Sequence, residues 1–415
     1  MFPSTEEPKP RTATVLRLGS AQTLAWASTY YLPAILAAPM ARDLGTTVPT
    51  VLAAFSLALV VSAAVGPRAG HAIDRLGGRP VLMATSGVFA AGLVGLGLCQ
   101  GLAGLFMAWV VLGLGMGSGL YEAAFASLVR LYGRQARNGI TGITLIAGFA
   151  STVGWPLSAW LESRYGWRST CLVWAALHLL LGLPLNAWLP RVAAVLGRPA
   201  PAAAAAPPPA AVPAAADAPA AGGEWRAMLV LAWVFAASLF AATALATHLP
   251  RLMQAAGASV GTALMVGALI GPAQVAARLL EFGFLRRAHP LWVARLATAL
   301  HPLGAALLLL AGPAWAPVFG LMHGAGNGLL TITKGTLPLA LFGSAGYGAR
   351  QGWLMAPARV SQALAPVAFG LVLDRLQGHA LWVTAGLGFS AVAALMLLPT
   401  QAQPAAAGAQ PALRR

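Results

Sequence analysis

Charged residues are scarce in this chain of 415 residues: they make up 9% of it, and only 10 are acidic. A typical soluble domain is about 25% charged, so this composition excludes an ordinary soluble enzyme and a disordered chain. Two cysteines, Cys99 and Cys171, are too few for a disulfide framework or a cysteine-rich metal site. Apolar residues, by contrast, reach 58%, and the mean hydropathy is +0.74. The balance indicates an integral membrane protein.

Apolar segments long enough to cross a bilayer recur along the whole chain. A membrane-spanning helix needs about 20 mainly apolar residues, and backbone polar groups within lipid must be paired inside the span. We therefore predict an all-α membrane protein with twelve transmembrane helices. The predicted segments are 16–40, 48–67, 80–99, 103–131, 138–160, 167–190, 226–250, 258–281, 290–311, 313–341, 348–373 and 379–399.

The net charge of +16 comes from basic residues that lie singly between these segments. Such spacing is typical of membrane-protein loops, so we predict a lipid bilayer and no nucleic acid as partner. With both termini in the cytoplasm, 18 of the 26 basic residues lie on that side, five lie outside and three lie within the membrane. This bias predicts cytoplasmic termini. Arginine outnumbers lysine 24 to 2, which suggests a GC-rich bacterial genome and hence the inner membrane. We expect a monomer.

Residues 199–221 contain only proline and alanine apart from Val212 and Asp217. Such a segment cannot bury a core, so it predicts a linker between two halves. We predict five parts, namely a cytoplasmic tail (1–15), a six-helix bundle (16–190), a cytoplasmic linker (191–225), a second six-helix bundle (226–400) and a cytoplasmic tail (401–415).

The two halves resemble each other in sequence. Gly-Ser-Gly-Leu at 117–120 recurs as Gly-Asn-Gly-Leu at 326–329. The interval of 23 residues from the glycine at 133 to the proline at 156 recurs from 343 to 366. Repeated halves are typical of secondary transporters, whose substrate site lies near the bilayer midplane between the repeats. We therefore predict two pseudo-symmetric bundles.

The loop between the second and third segments reads GHAIDRLGGR over residues 70–79. It resembles the signature Gly-x-x-x-Asp-Arg-x-Gly-Arg-Arg/Lys of the major facilitator superfamily, with Gly78 replacing one basic residue. The resemblance covers essentially the whole chain outside the linker and tails. It implies alternating access, in which two bundles rock about a central cavity.

Three polar residues of this loop are candidates for a cytoplasmic latch. Asp74 can accept hydrogen bonds from the free N–H groups at a helix start, and Arg75 and Arg79 can pair across the bundle interface. Alternatively, both arginines serve only as topology signals. The corresponding loop of the second half, residues 278–287, has no aspartate at the matching place. The latch is therefore predicted to be asymmetric.

Two arginines, Arg278 and Arg359, lie within predicted segments eight and eleven. A charge at the bilayer centre costs about 2.5–3.5 kcal/mol, so such residues are functional candidates. Acidic residues are too few to neutralise both, although Glu281 could reach one of them. Because an arginine fork matches a carboxylate, the excess charge predicts an anionic substrate. The alternative is that each guanidinium binds backbone carbonyls or extends to the interface.

A narrower resemblance concerns the monocarboxylate porters, which carry Tyr-x-x-Pro-Lys and Asp-x-x-x-Arg. This chain has Tyr30-x-x-Pro33 and Gln274-x-x-x-Arg278, so the anion-binding arginine is retained. Ala34 and Gln274 stand where those porters have the proton-handling Lys and Asp. Basic residues in segments eight and eleven are also similar to the oxalate–formate antiporter, which implies anion exchange without a proton.

Further polar residues lie at membrane depth. Glu122 is either a proton-coupling carboxylate or half of a structural ion pair, with Arg130 or with a charge of the other bundle. His323, Asn327, Thr331 and Lys334 share one face of segment ten, which suggests a cavity wall, although Lys334 could instead extend to the interface. His248, Tyr30 and Tyr31 are candidates for the outer cavity. We expect His301 and His178 to serve packing.

Together these residues form the predicted site. Those predicted to bind substrate are Arg278, Arg359, Tyr30, Tyr31, Gln274, His248, Asn327 and Thr331. Those predicted to couple protons or to gate are Glu122, Lys334, Asp74, Arg75 and Arg79.

The sequence contains no phosphate-binding glycine loop and no His/Glu cluster at metal-ligand spacing. We therefore predict no enzyme, no catalytic or metal site and no cofactor. The predicted function is secondary transport of a small organic anion, driven by protons or a counter-anion. The alternative is a proton-coupled exporter of drugs or other toxic solutes, with Trp155, Trp109 and Phe125 lining an apolar pocket.

Overall fold

A computed structural model describes residues 10–192 and 221–399, apart from the side chains of 221–223 and Arg286. This part of the chain is nearly all helical and contains no β-strand. Residues 193–220 of the predicted linker, and the predicted tails at 1–9 and 401–415, lie outside the described residues. The five-part division of the chain therefore stays a prediction.

The first half is built from helices α1 to α9. They are Thr12–Ser28 (α1), Pro33–Asp43 (α2), Val48–Leu76 (α3), Gly78–Leu98 (α4), Leu102–Gly119 (α5), Tyr121–Tyr132 (α6), Arg137–Ala147 (α7), Ala150–Leu177 (α8) and Leu183–Ala187 (α9). A turn of π-helix, His178–Gly182, joins α8 to α9.

The second half is built from helices α10 to α15. They are Ala221–Ala255 (α10), Val260–Gly283 (α11), Pro290–Ala311 (α12), Ala316–Phe342 (α13), Tyr347–Leu376 (α14) and Leu381–Met396 (α15).

Seven helical stretches in the described residues are long and apolar enough to cross a membrane. One of them, Leu102–Ala187, has 86 residues, several times the roughly 20 needed for one crossing. Every predicted segment coincides with helical residues, which agrees with a multi-pass, all-α membrane protein. The count of twelve crossings and the arrangement in two bundles stay predictions.

Three predicted segments are broken rather than continuous, namely the first, the fourth and the fifth, and the fifth is interrupted at 148–149 between α7 and α8. The first is interrupted between α1 and α2, where Pro33 opens α2 and lacks the N–H that would bond the preceding turn. The fourth is interrupted at Leu120, which is extended with φ −83° and ψ −165°. Gln22 Nε2 donates to the freed carbonyl of Gly119 at 2.7 Å. The carbonyl freed at this break is thus satisfied by a side chain of α1.

Apolar cores largely follow the two halves. One core consists mainly of buried residues between 18 and 192, and three smaller cores consist of residues between 231 and 398. We call the end of the molecule near the linker borders the linker end. There Gly77 lies beside Val192, and Arg350 Nη2 donates to Glu224 Oε1 at 3.1 Å.

Helices α3 and α14 bring the halves together at this end. A Cβ added to Gly70 would clash with the backbone carbonyl of Gly348, and one added to Gly352 would lie 2.5 Å from Pro67. Only glycine permits two helices to approach this closely. The linker end is therefore closed in this conformation.

Candidate functional site

A buried ion pair joins the two halves. Arg359 of α14 donates through Nη2 to both carboxylate oxygens of Glu122 on α6, at 3.0 and 3.2 Å. Arg359 is only 4% exposed and Glu122 is 17% exposed. Glu122 lies in the first turn of α6, where the helix dipole also favours a carboxylate. The partner of Glu122 is thus a charge of the other half.

The other partner considered for Glu122 bonds elsewhere. Arg130 donates through Nε to the backbone carbonyl of Asp74 at 2.9 Å. An ion pair between Glu122 and Arg130 is therefore absent.

A polar chain continues from the ion pair to the break between α1 and α2. Arg359 Nη1 donates to Gln362 Oε1 at 3.1 Å, and Gln362 Nε2 donates to the Tyr30 hydroxyl at 2.7 Å. Trp26 lies beside this chain, with its ring centre 5.9 Å from the Arg359 guanidinium. Its buried indole Nε1 has no hydrogen-bond partner among the described residues.

Arg278 of α11 is buried at 5% exposure and lies against the first half. It donates through Nη1 to the carbonyl of Thr144 on α7 at 3.1 Å, and through Nη2 to Gln274 Oε1 at 3.3 Å. A Cβ on Gly148 would collide with this guanidinium, so Gly148 leaves it room. Within residues 10–192 and 221–399, Arg278 has no ion pair, and its Nε has no hydrogen-bond partner.

Glu281 does not neutralise Arg278. It faces Arg137 at 4.0 Å and accepts a hydrogen bond from Thr141 at 3.3 Å, and both of these partners lie on α7. The expectation that Glu281 reaches a membrane-embedded arginine of its own half is therefore wrong.

Lys334 of α13 adds a third positive charge. The half-buried lysine interacts electrostatically with Glu122, Arg359 and Arg278. In the described part of the chain, this group brings together three cations and one carboxylate. We call these four residues the central charge cluster. Its net charge is positive, and two buried donors, Arg278 Nε and Trp26 Nε1, are unused.

Aromatic rings border the central charge cluster on the side of the first half. Tyr30 and Tyr31 lie in the break between α1 and α2, with ring centres 5.5 Å apart. Tyr121, next to Glu122, packs on Trp26 at 4.8 Å, and Arg278 interacts electrostatically with Tyr31 and Tyr121. The breaks in the first and fourth predicted segments thus place these tyrosines around the central charge cluster, to which Glu122 belongs.

Three predicted substrate residues make their contacts away from the central charge cluster. His248 Nε2 lies 2.8 Å from the carbonyl of Pro366 on α14. Asn327 Nδ2 lies 3.0 Å from His323 Nε2, and Thr331 donates to the carbonyl of Asn327 at 2.8 Å. Their part in substrate binding stays a prediction.

Asp74 lies at the linker end and contacts the other half as a cap. Its two carboxylate oxygens accept the backbone N–H groups of Gly348 and Ala349, at 2.9 and 2.8 Å, in the first turn of α14. This is the helix-start contact expected for Asp74. Arg75 and Arg79 form no ion pair or hydrogen bond in the described residues, so their expected pairing across the interface is absent here.

The second half also supplies a contact at the linker end, but of a different kind. Glu281 meets two side chains of α7, whereas Asp74 accepts backbone N–H groups of α14. Arg137 reinforces the contact of Glu281 by donating through Nη2 to the carbonyl of Ala288 at 2.7 Å. The predicted asymmetric latch stays a prediction. A glutamate one helical turn after Arg278 was visible in the sequence, but its partner on α7 was not.

Several residues of the site were missed, namely Trp26, Gln362, Thr144, Thr141 and Arg137. Gln362 lies three residues after Arg359, on the same helix face, which was an available signal. Thr144 contributes only its backbone carbonyl, which no sequence pattern marks. The described residues contain no group of three or more His, Cys, Asp or Glu that could hold a metal ion.

Comparison with known proteins agrees with this architecture. The model of the Major Facilitator Superfamily matches residues 18–346. The chain belongs to the Major Facilitator Superfamily. The resemblance inferred from residues 70–79 is thereby confirmed, and the protein is a transporter rather than an enzyme.

Two solved structures share the fold. The crystal structure of the human organic anion transporter MFSD10 (TETRAN) superimposes with a TM-score of 0.70 at 19% identity, covering 94% of this chain and all of the other. The proton:xylose symporter XylE superimposes with a TM-score of 0.67 at 13% identity, covering 92% and 95%. At such identities the likeness shows the fold alone.

One curated relative matches part of the chain. The multidrug resistance protein fnx1 of Schizosaccharomyces pombe is 30% identical over 136 residues. These residues are 32% of this chain and 25% of that relative. The match spans about a quarter of the relative's length, so it does not transfer that protein's activity.

Proposed function

We propose that this transporter carries a small organic anion of the carboxylate class. The observation that supports it is the central charge cluster, in which three cations face one carboxylate. An uncompensated charge at membrane depth is costly, and a bound anion offsets that cost. The site borders both halves, as expected of a substrate site between two repeats.

Arg278 is the residue proposed to hold the anion. Arg359 is engaged by both oxygens of Glu122. Arg278, in contrast, bonds only neutral oxygens and has a free Nε–H. A carboxylate bound by Nε and one Nη atom would form the paired geometry that arginine favours. The neighbouring Lys334 would add attraction, and the indole N–H of Trp26 offers one more donor.

The wider setting belongs to the same proposal. We propose twelve spanning helices in two six-helix bundles, in the inner membrane, with both termini in the cytoplasm and the chain acting as a monomer. The closed linker end would then be the cytoplasmic end. Release of the contacts of Asp74 and Glu281 would open it during alternating access.

The first experiment is a thermal-shift screen of the purified protein. The probes are lactate, succinate, oxalate and benzoate, each matched with its neutral amide. Stabilisation by at least one acid but not by its amide is expected, since the amide carries no charge for Arg278. Radiolabelled counterflow in proteoliposomes then tests whether the stabilising acid is transported. A protein that neither binds nor exchanges any of these acids would contradict the proposal.

Arg278→Gln is the decisive variant. Losing one charge-assisted hydrogen bond costs about 1.5–3 kcal/mol, so we expect binding of the selected acid to weaken about 10- to 100-fold. The matched control is Arg295→Gln, because Arg295 is a buried arginine of α12 that donates to the carbonyls of Leu395 and Leu398. The control is expected to lose thermal stability but keep its affinity. Equal affinity in Arg278→Gln and wild type would refute the assignment.

Export of drugs is the second candidate function, because a segment of the chain resembles a protein named for multidrug resistance. Its predicted apolar pocket receives little support, since Trp109 and Phe125 are fully buried and only Trp155 is exposed. Expression in a host that lacks its own exporters tests this function. Resistance to dyes or antibiotics, together with no response to organic acids, would favour export.

A further inference from the structure

Two buried histidines of the second half contact each other. His301 of α12 and His323 of α13 lie with their Nδ1 atoms 3.0 Å apart. The two residues are 8% and 3% exposed, respectively. The chain continues to Asn327, whose side-chain Nδ2 lies 3.0 Å from His323 Nε2. Phe319 packs against both imidazoles, at 5.9 Å from each. No residue of the anion site described above is part of this group.

The hydrogen positions in this hydrogen-bonded series of His301, His323 and Asn327 depend on one another. A hydrogen bond between two Nδ1 atoms requires that one ring donates and the other accepts. If the Asn327 amide donates to His323, then His323 donates to His301, and His301 carries its hydrogen on Nε2. If the Asn327 amide is rotated by 180°, its oxygen accepts from His323 Nε2 and His301 Nδ1 donates to His323 Nδ1. His301 Nε2 then carries no hydrogen and is a free acceptor. That buried atom has no hydrogen-bond partner in the described residues, so it is the open end of the chain.

His301 Nε2 can take up one proton without breaking either hydrogen bond of the series His301–His323–Asn327. A proton added at His301 Nε2 leaves the bond between the rings and the bond to Asn327 in place. The backbone of Thr384 on α15 faces the His301 ring without completing a hydrogen bond to Nε2, and could accept one from the protonated ring. A second proton would set two N–H groups against each other across 3.0 Å. The pair therefore has room for one proton.

Few charges face the pair from the helices packed around it. Helix α15 carries no charged residue, and the Arg295 guanidinium of α12 is bonded to the carbonyls of Leu395 and Leu398. Helix α11 carries Arg278 and Glu281, which are engaged with α7. The remaining charge is Lys334, further along α13. The proton on the pair would thus be the main change of charge in this region.

His323 of the pair and Lys334 of the anion site lie on the same face of α13. Asn327, Thr331 and Lys334 follow His323 at helical spacing, and Thr331 donates to the carbonyl of Asn327. Lys334 belongs to the central charge cluster. Glu122 is bound by Arg359 through both oxygens and keeps that role in this conformation. Unlike Glu122, the histidine pair has no ion-pair partner in the described residues.

We propose that the His301–His323 pair is a binding site for one proton, and that this proton accompanies the anion through the transport cycle. The existence of the proton site stands on the geometry of the pair alone. Its coupling to transport rests on the function proposed above. The two parts are therefore tested by separate measurements.

The site itself is tested by NMR of the full-length protein in detergent, labelled with ¹⁵N-histidine. The pH is varied across the range in which histidine titrates, about pH 4 to 9. Both rings are expected to respond in one common step that takes up one proton, and His301→Asn or His323→Asn should abolish that step. His379→Asn, at an exposed histidine far along the chain, is the control that should leave it intact. Two independent steps, or no step at all, would overturn the proposal.

Coupling is tested in proteoliposomes with the acid selected from lactate, succinate, oxalate and benzoate. Wild type should accumulate this acid when a pH gradient is imposed. The His301→Asn and His323→Asn variants should accumulate about tenfold less acid than wild type. They should retain counterflow, because counterflow needs no net proton movement. His323→Gln, which keeps an amide near the Nε2 position, is the second variant in case an asparagine variant fails to fold.

Accumulation at the wild-type level in these variants would overturn the coupling. Absence of any transport by wild type would instead overturn the proposed function, and the common NMR step would still decide the proton site.

Discussion

Glu122 and Arg359 belong to different halves of the chain and form a buried ion pair. The carboxylate is the single negative charge of the central charge cluster, whereas the guanidinium is one of three positive charges. Removing either partner leaves the other charge buried, which is more costly than losing the pair as a whole. The two partners are therefore unequal in their expected effects.

Glu122→Gln should destabilise the protein more than Arg359→Gln. The first variant leaves three cations facing one another, while the second leaves Glu122 beside Lys334. We expect a loss of about 3–5 kcal/mol for Glu122→Gln, and the double variant should recover most of it. The measurement is thermal unfolding of the purified single and double variants. Additive losses in the double variant would show that the two side chains do not interact.

The charged residues of the site could be predicted from the sequence, whereas their partners could not. Arg278, Arg359, Glu122 and Lys334 were recognisable because charges are rare at membrane depth. The pairing of Glu122 with Arg359, 237 residues away, depends on how the halves meet, and no local pattern encodes it. The bond from Arg278 to a backbone carbonyl is equally invisible in a sequence.

At the level of helices, hydropathy predicted where helical residues lie but not where helices break. The break at Leu120 interrupts an apolar run that reads as one continuous segment. The chain tolerates this break because Gln22 satisfies the carbonyl of Gly119. Such compensation comes from a distant helix, so only the structure reveals it.

Asp74 is a helix cap supplied by the other half of the molecule. Its carboxylate holds two N–H groups at the start of α14 that the helix itself cannot satisfy. Asp74→Ala should therefore weaken the contact between α3 and α14, by about 1–2 kcal/mol as for other lost helix caps. Glu281→Ala should do the same between α11 and α7.

Proteolysis or labelling from the linker end checks this prediction about the two latches. Each single variant should expose the linker end more often than wild type does, and the double variant should do so most. Asp43→Ala is a suitable control, because its carboxylate pairs with Arg168 within the first half. An effect of Asp43→Ala as large as that of Asp74→Ala would argue against a specific latch.

For the whole molecule, the closed linker end depends on glycines that let two helices of different halves meet. Gly70 and Gly348 leave no space for a methyl group, since a Cβ on either would clash with the backbone of the other. Gly70→Ala should therefore disfavour this closed conformation and shift the population towards one that is open at the linker end. A substitution without any change of charge would then alter the transport cycle.

The shift is measured through Thr141→Cys, in a background with Cys99→Ser and Cys171→Ser. Thr141 is buried behind the closed linker end, next to Glu281, so a maleimide reaches it only when that end opens. Gly70→Ala should increase the labelling rate, whereas Gly87→Ala should not, because a Cβ at Gly87 meets no atom within 4 Å. Equal labelling rates in the two glycine variants would mean that helix contact at Gly70 does not control the opening. A faster labelling rate in Gly70→Ala but not in Gly87→Ala would show that the contact between α3 and α14 controls how much of the protein is open at the linker end.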